Sequence, residues 1–302
     1  LCELARQDSW PVGRWREALQ AWSEEKLLKR SWRYMAPVLK RAPEELIVEL
    51  SHSLSWWLHE VAKTFDRHQE TFFSLCYNIL NLDYDEDGGE PDDPVTKAIN
   101  HPVGLATEAL MRWWYRRSLE DNQGLPEEID KIFTQLCDAN IQPYRHARLL
   151  LSANVIPLFR VAPEWTKQNL LPFFQWGEPK SEAASAWKGF LWAPRLYYPL
   201  FELIKPDFLE TAKHYYELGD HGRQYATLLT FIALEPGETF FKYELKSVTE
   251  TLPDEGRREV LEALVRALEG SGEQRDSYWR NRIVPYWQSV WPKSYRYKSK
   301  DL

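Results

Sequence analysis

Apolar residues recur along this chain with the spacing of one face of an α-helix, and prolines stand between one such segment and the next. The clearest segment begins at Pro43, which two glutamates follow, and its apolar stripe continues in helical steps to Phe65. Proline suits the first turn of a helix because it has no N–H to lose, and carboxylates favour the positive helix start. A second clear helix is predicted from Pro253 to about Gly270. Strict alternation, which would indicate a strand, extends nowhere beyond a few residues.

The positions of the prolines predict the fold class. Those that stand where a new helix would begin are Pro126, Pro143, Pro163, Pro179, Pro206 and Pro253. The last helix is predicted near 273–290, with a kink at Pro285, and residues 193–198 are predicted to be irregular. The 13 glycines in 302 residues argue against an all-β fold with many tight turns. The predicted fold is an all-α, irregular helical array, α-solenoid-like or a multi-helix bundle, of about 12–15 helices.

An acidic segment at 83–93 interrupts the helical pattern. Its one apolar anchor is Tyr84, so we expect an exposed loop or linker. The predicted domains are a helical part at 1–82 and another at 94–302, with one continuous helical domain as the alternative. The opening of the segment matches an EF-hand calcium loop, but its twelfth position is Pro94 where a bidentate glutamate is needed. A solvated acidic run is the favoured interpretation, and a weak ion site stays open.

The sequence predicts no catalytic residue, metal or cofactor. Two pairs of histidines, His52/His59 and His214/His221, are each spaced by seven residues. That spacing puts each pair on one helix face about 10 Å apart, which is too far for two ligands of one ion. No nucleophile elbow, phosphate-binding loop or dinucleotide fingerprint occurs. A hydrolase whose carboxylates converge only in the fold is left open, because carboxylates are plentiful.

Composition indicates the compartment and the class of partner. The three cysteines lie far apart, which is typical of a reducing environment, so the expected location is the cytoplasm. No apolar run reaches the roughly 18 residues of a membrane helix, and no signal peptide is visible, so no membrane partner is expected. Because the chain starts at Leu1, we expect it to come from a longer protein. The net charge of −7 disfavours nucleic acid as a partner of the whole surface.

Aromatic residues are the unusual part of the composition, with 15 Trp, 15 Tyr and 13 Phe. Two clusters combine them with basic residues, one at 112–117 and one at 280–300. Arginine beside aromatic rings can bind phosphates and stack on bases, but inward-packed rings with solvated charges are the favoured alternative. The candidate partner-binding residues are Arg112, Trp113, Trp114, Arg116, Arg117, Arg280, Arg282, Lys293 and Arg296. Those predicted to make exposed contacts are Trp113, Trp114, Arg116 and Arg117.

Four distinctive phrases are spread along the chain. They are SLSWWL at 53–58, WKGFLWAPR at 187–195, YWRNRI at 278–283 and WPKS at 291–294. Together they resemble a helical domain that follows a sirtuin-like domain in large bacterial proteins similar to the anti-phage, defence-associated sirtuins. The resemblance runs from about Trp32 onward. It implies that a part outside this chain cleaves NAD, while the helical part senses a phage protein or holds the assembly. No catalytic residue carries over, because the NAD-binding glycines and the catalytic Asn and His of a sirtuin are absent.

The functional prediction is a non-catalytic interaction, sensor or scaffold domain that binds a protein partner or a second copy of itself. Trp, Tyr and Arg dominate binding hot spots, and the chain is rich in them without a catalytic constellation. The alternative is a helical module that binds nucleic acid through the basic-aromatic residues of the C-terminal segment. Burial of nearly all the tryptophans would remove the argument for the first prediction.

Overall fold

The computed structural model describes residues 1–84, 93–177, 180–235 and 237–293, and every regular element in these ranges is helical. The predicted all-α, multi-helix fold is therefore confirmed. The chain divides into two compact units, Leu1–Leu170 and Leu171–Leu302. The division follows Leu170 rather than the acidic segment, because helices from both sides of that segment pack together in the first unit.

The helices of the first unit are numbered in chain order, with the bounds that the structure describes. They are α1 (Cys2–Arg6), α2 (Val12–Trp22), α3 (Glu25–Leu39), α4 (Glu44–Val61), α5 (Gln69–Leu80), α6 (Pro94–Asn100), α7 (Pro102–Tyr115), α8 (Glu127–Leu136), α9 (Tyr144–Ala153), α10 (Val155–Val161) and α11 (Pro163–Trp165). A π-helical turn at Thr166–Leu170 follows α11. Helix α7 is central, because it packs against α4, α5, α6 and α9. Gly104 lies where α6 and α7 meet, and a Cβ atom there would fall 1.8 Å from the carbonyl oxygen of Ala98.

The helix predicted after Pro43 is present as α4, with Pro43 as its N-cap residue. Its apolar stripe is buried and consists of Leu46, Leu50, Leu54, Trp57, Leu58 and Val61. Phe65 lies beyond the end of the helix, but its buried ring packs with its centroid 5.2 Å from that of Trp32. The ring of Trp57 lies 5.4 Å from the same indole. These rings form an aromatic core for the first unit, where large side chains bury much apolar area each.

The second unit contains α-helices together with 3₁₀ and π-helical segments. Its helices are α12 (Lys180–Trp192), α13 (Tyr198–Glu210), α14 (Gly222–Leu234), α15 (Lys242–Thr251), α16 (Asp254–Gly270), α17 (Arg275–Tyr278) and α18 (Val284–Ser289). The 3₁₀ turns are Leu171–Phe174, Thr211–His221 and Gly272–Gln274, and Trp279–Ile283 is a π-helical turn. Its buried rings include Trp187 and Tyr225, whose polar atoms donate hydrogen bonds of 2.9 Å to the carbonyl oxygens of Phe174 and Phe208, respectively.

The prolines have more than one role. The helix predicted from Pro253 is present as α16, which runs to Gly270. Pro206 lies inside α13, so the prediction that a helix starts there is wrong; burial of residues such as Phe201 and Phe208 favours continuing the helix through it. Near Pro285 the helix changes to a π turn at Trp279–Ile283. Proline has no N–H to donate to the carbonyl four residues earlier, which explains the local change.

Two further sequence expectations concern the cysteines and the membrane. The three cysteines are free thiols, and burial raises the pKa of Cys76 far above its usual range and that of Cys137 to about 12. Thiolate is the reactive form, so neither side chain has the environment of a reactive cysteine. No helix in the described ranges combines the length and apolar character that crossing a membrane requires.

Candidate functional site

The two tryptophans of the cluster at 112–117 are core residues. Trp113 is 4% exposed and Trp114 is 0% exposed, which corrects the prediction that they form exposed contacts. Both point inward because α7 is surrounded by other helices, so adjacent positions on it face different neighbours. The ring of Trp113, for example, packs edge-on against Phe73 of α5 with centroids 4.7 Å apart. The sequence shows the period of α7 but not how many sides of it are covered.

Arg116 and Arg117 of this cluster stay near the surface, and Arg116 contacts the residues that follow α4. Arg116 donates hydrogen bonds to the carbonyl oxygens of Ala62 at 3.0 Å and of Phe65 at 2.6 Å. The guanidinium of Arg117 lies 3.9 Å from the centroid of the Trp113 ring. The hydrogen bonds of Arg116 satisfy carbonyl groups near the end of a helix. The position of Arg117 over the Trp113 ring is a cation–π contact.

A surface cavity of about 250 Å³ opens beside these two side chains. We call it the arginine cavity; it is lined by Phe65, Asp66, Gln69, Trp113, Arg116 and Arg117. Burial lowers the pKa of Arg116, the nearby positive charge of Arg117 lowers it further, and Asp66 acts in the opposite direction. The cavity therefore holds two close positive groups and one carboxylate.

Arg112 belongs to a different group of charges, between α4 and α7. Its guanidinium lies 3.4 Å from Glu60, which also accepts a hydrogen bond of 2.6 Å from Lys63. Burial raises the pKa of Glu60, but the hydrogen bond and charge of Lys63, with the charges of His59 and Arg112, outweigh it and hold that pKa below its usual value. Arg112 is thus engaged in a local ion-pair network.

His59 is buried beneath this network. Its Nδ1 atom lies 3.2 Å from Glu60 and its Nε2 atom 3.2 Å from Glu108, although neither contact has the alignment of a hydrogen bond. The two carboxylates approach opposite nitrogens, so the three side chains cannot share one ion. Within the described ranges, no group of three or more His, Cys, Asp and Glu side chains could hold a metal. Most of the acidic segment that resembled a calcium loop lies outside the described residues.

The C-terminal candidate residues do not share one environment. Arg282 is half-buried, forms an ion pair of 2.9 Å with Glu235 and lies 3.3 Å from the carbonyl oxygen of Leu234. Arg280 and Lys293 are exposed. Arg296 lies outside the described residues. The described part of this segment therefore contains one arginine engaged in the fold and two side chains open to solvent.

The tryptophans divide between core and surface. Those that are buried are Trp15, Trp32, Trp57, Trp113, Trp114, Trp165 and Trp187. Those that are exposed are Trp56, Trp192 and Trp279. Since the rest are half-buried, the aromatic excess is partly a feature of the core and partly available for contact. Binding through aromatic contacts would therefore depend on specific exposed rings and not on the aromatic content as a whole.

The most organised exposed rings belong to the second unit, and sequence reasoning missed them. Phe241 is 53% exposed and Tyr243 is 70% exposed, and their rings stack with centroids 5.6 Å apart and planes 9° apart. The ammonium of Lys205 lies 4.8 Å from the Phe241 centroid and 2.7 Å from a carboxylate oxygen of Glu244. We call these four residues the aromatic platform. Aromatic and charged residues alternate at 241–244, and this alternation is the local sequence signal of the platform.

Glu244 fixes the platform to the start of α15. Its carboxylate accepts a hydrogen bond of 2.9 Å from the backbone N–H of Phe241, as in a capping box. Lys205 reaches across from α13 and also donates to the carbonyl oxygen of Thr239 at 2.9 Å. Both charged side chains are less than one-fifth exposed. The backbone at the base of the exposed rings is thereby held by polar contacts to side chains of two helices.

Comparison of the chain with family models, curated proteins and solved structures found no match. The resemblance implied by the four phrases therefore rests on those phrases alone. The placement of the chain's own side chains is the basis for a functional proposal.

Proposed function

We propose that the chain is a non-catalytic helical interaction module that binds a protein partner through the aromatic platform. The observation that supports this proposal is the pair of exposed, stacked rings on a rigid base. Tyrosine and phenylalanine offer large contact areas with few rotatable bonds. Because Lys205 and Glu244 already fix the base of the pair, binding would cost less side-chain entropy than at mobile rings.

The chemistry of the platform favours a partner that presents an apolar or aromatic side chain. Stacked aromatic faces gain from offset or edge-on contact with further rings and from burial of apolar area. The two charges at the base already pair with each other, so neither charge demands a partner of opposite sign. A folded protein surface with an apolar anchor, including that of a second copy of this chain, satisfies these requirements.

Site-specific photo-crosslinking tests the proposal. A photoreactive phenylalanine analogue placed at Tyr243 of the natural full-length protein, in its own cells, is expected to give one discrete protein adduct. The matched control is the same analogue at Tyr34, a tyrosine of the first unit that is 58% exposed. Equal labelling from the two positions, or no adduct from Tyr243, would contradict the proposal.

Nucleic-acid binding is the competing function, and fewer observations support it. Arg282, in the C-terminal segment that this function would use, is paired with the carboxylate of Glu235, and the net charge is −7. A gel shift that weakens steeply with salt would support it, because phosphate contacts release counterions. A negative gel shift at low salt, combined with a discrete protein adduct at Tyr243, would favour the interaction module.

We further propose, as the four phrases imply, that the module serves a larger bacterial anti-phage protein with an NAD-cleaving part. The support is the resemblance at 53–58, 187–195, 278–283 and 291–294. The test is NAD cleavage by the full-length protein in cells that contain phage, compared with uninfected cells. Loss of the phage response in a Tyr243→Ala variant whose NAD-cleaving part stays intact would connect the two proposals. A full-length protein without NAD cleavage would contradict this second one and leave the first standing.

A further inference from the structure

We propose that the arginine cavity of the first unit is a binding site for a phosphate-type oxyanion, held by the guanidinium groups of Arg116 and Arg117. This site does not depend on the aromatic platform. Its volume of about 250 Å³ is below that of a typical drug-sized pocket and suits a phosphate group with at most a small substituent. Arginine matches the geometry of phosphate oxygens because its planar guanidinium offers donors as a fork.

Each guanidinium is already in position. Arg116 is held by the carbonyl oxygens of Ala62 and Phe65, and its guanidinium carbon lies 5.2 Å from the centroid of the Phe65 ring. Arg117 is held against the ring of Trp113. An arginine has five N–H donors, so these contacts leave donors available on both side chains. An anion would therefore meet two ordered groups and not two mobile ones.

Some arginines of the chain form ion pairs that Arg116 and Arg117 lack. Arg112 pairs with Glu60, Arg160 with Asp121 and Arg282 with Glu235. In the described ranges, no carboxylate forms an ion pair with Arg116 or Arg117. Arg116 and Arg117 are also close enough that the positive charge of Arg117 lowers the pKa of Arg116. An anion between them would replace repulsion by attraction, which is the physical reason for the assignment.

Two other residues that line the cavity change how strongly it attracts an anion. Asp66 places a negative charge at the cavity, which weakens the attraction for an anion. Gln69 is the first residue of α5, a helix whose start has no side-chain cap. The partial positive charge of a helix start adds to the field of the arginines, although the arginines define the site.

Titration calorimetry of the whole chain with inorganic phosphate and with phenyl phosphate tests the inference, and acetate serves as the carboxylate comparison. Arg117→Gln is expected to weaken phosphate binding about tenfold or more, because a charge-assisted contact is lost. Asp66→Asn is expected to strengthen binding, because a like charge is removed. Arg14→Gln alters an exposed arginine of α2 and is the matched control, with unchanged affinity.

The opposite signs of the two cavity variants make the test decisive. Binding that weakens in Arg117→Gln and strengthens in Asp66→Asn supports the site, and tighter binding of phenyl phosphate would identify an ester as the source of the phosphate group. The proposed site is contradicted if neither phosphate compound gives a heat of binding at millimolar concentration. Equal affinities in the wild type and both variants also overturn it. Should Arg117→Gln fail to fold by circular dichroism, the sign of the Asp66→Asn effect decides alone.

Discussion

The cluster at 112–117 and the aromatic platform contain the same kinds of residue in opposite arrangements. In the first unit the ring of Trp113 is 4% exposed and supports the charge of Arg117 above it. In the second unit the charge of Lys205 is largely buried and supports the exposed ring of Phe241, on which the exposed ring of Tyr243 stacks. Local composition predicts that rings and cations contact each other. Tertiary packing decides which of the two faces the solvent.

The largest expected difference between the two regions is in stability. Trp114→Ala removes a ring that is 0% exposed, so we expect the first unit to lose about 3–5 kcal/mol of unfolding free energy. Tyr243→Ala removes a ring that is 70% exposed and should change the unfolding free energy by only about 0.5 kcal/mol. Urea unfolding followed by circular dichroism measures both. Similar midpoints for the two variants would contradict the assignment of core and surface.

A smaller effect should separate the two neighbouring arginines. Arg116→Met removes two hydrogen bonds to carbonyl oxygens at the end of α4, and after allowance for its exposure we expect a loss of about 1–2 kcal/mol. Arg117→Met keeps an apolar contact with the Trp113 ring and should be nearly neutral. Thermal unfolding of the pair, each compared with the wild type, checks the ranking. The reverse order would show that the cation–π contact outweighs the helix-end contacts.

The sequence predicted the helices better than their exposed faces. The starts of α4 and α16 followed from proline and acidic residues, because those signals act within one turn of the chain. The burial of Trp113 and Trp114 did not follow, because it depends on distant helices that surround α7. The aromatic platform was missed for the same reason: its base needs Lys205, which is far from Phe241 in sequence. The continuation of α13 through Pro206 shows that burial can override a local signal.

A third prediction tests whether the base of the platform fixes its rings. Glu244→Gln keeps the shape of the side chain but removes the charge that pairs with Lys205, and we expect a loss of about 1 kcal/mol of unfolding free energy. The yield of photo-crosslinking from Tyr243 should also fall, because rings that are less ordered before binding lose more conformational entropy when they bind. Glu250→Gln, on the same helix, is the control for a carboxylate outside the platform. Unchanged crosslinking in Glu244→Gln would show that the rings need no fixed base.

The smallest expected effect concerns pH and the ion-pair network around Arg112, which lines neither proposed site. Glu60 has a pKa below its usual value of 4.5 in the folded protein, so its interactions stabilise the fold above that pH and are lost as the pH falls through the lowered pKa. The carboxylate is partly exposed, so we expect only a few tenths of a kcal/mol. Urea midpoints across the acid range should therefore fall slightly more steeply for the wild type than for Glu60→Gln. Parallel curves would mean that Lys63 and Arg112 hold this carboxylate no more strongly than water does.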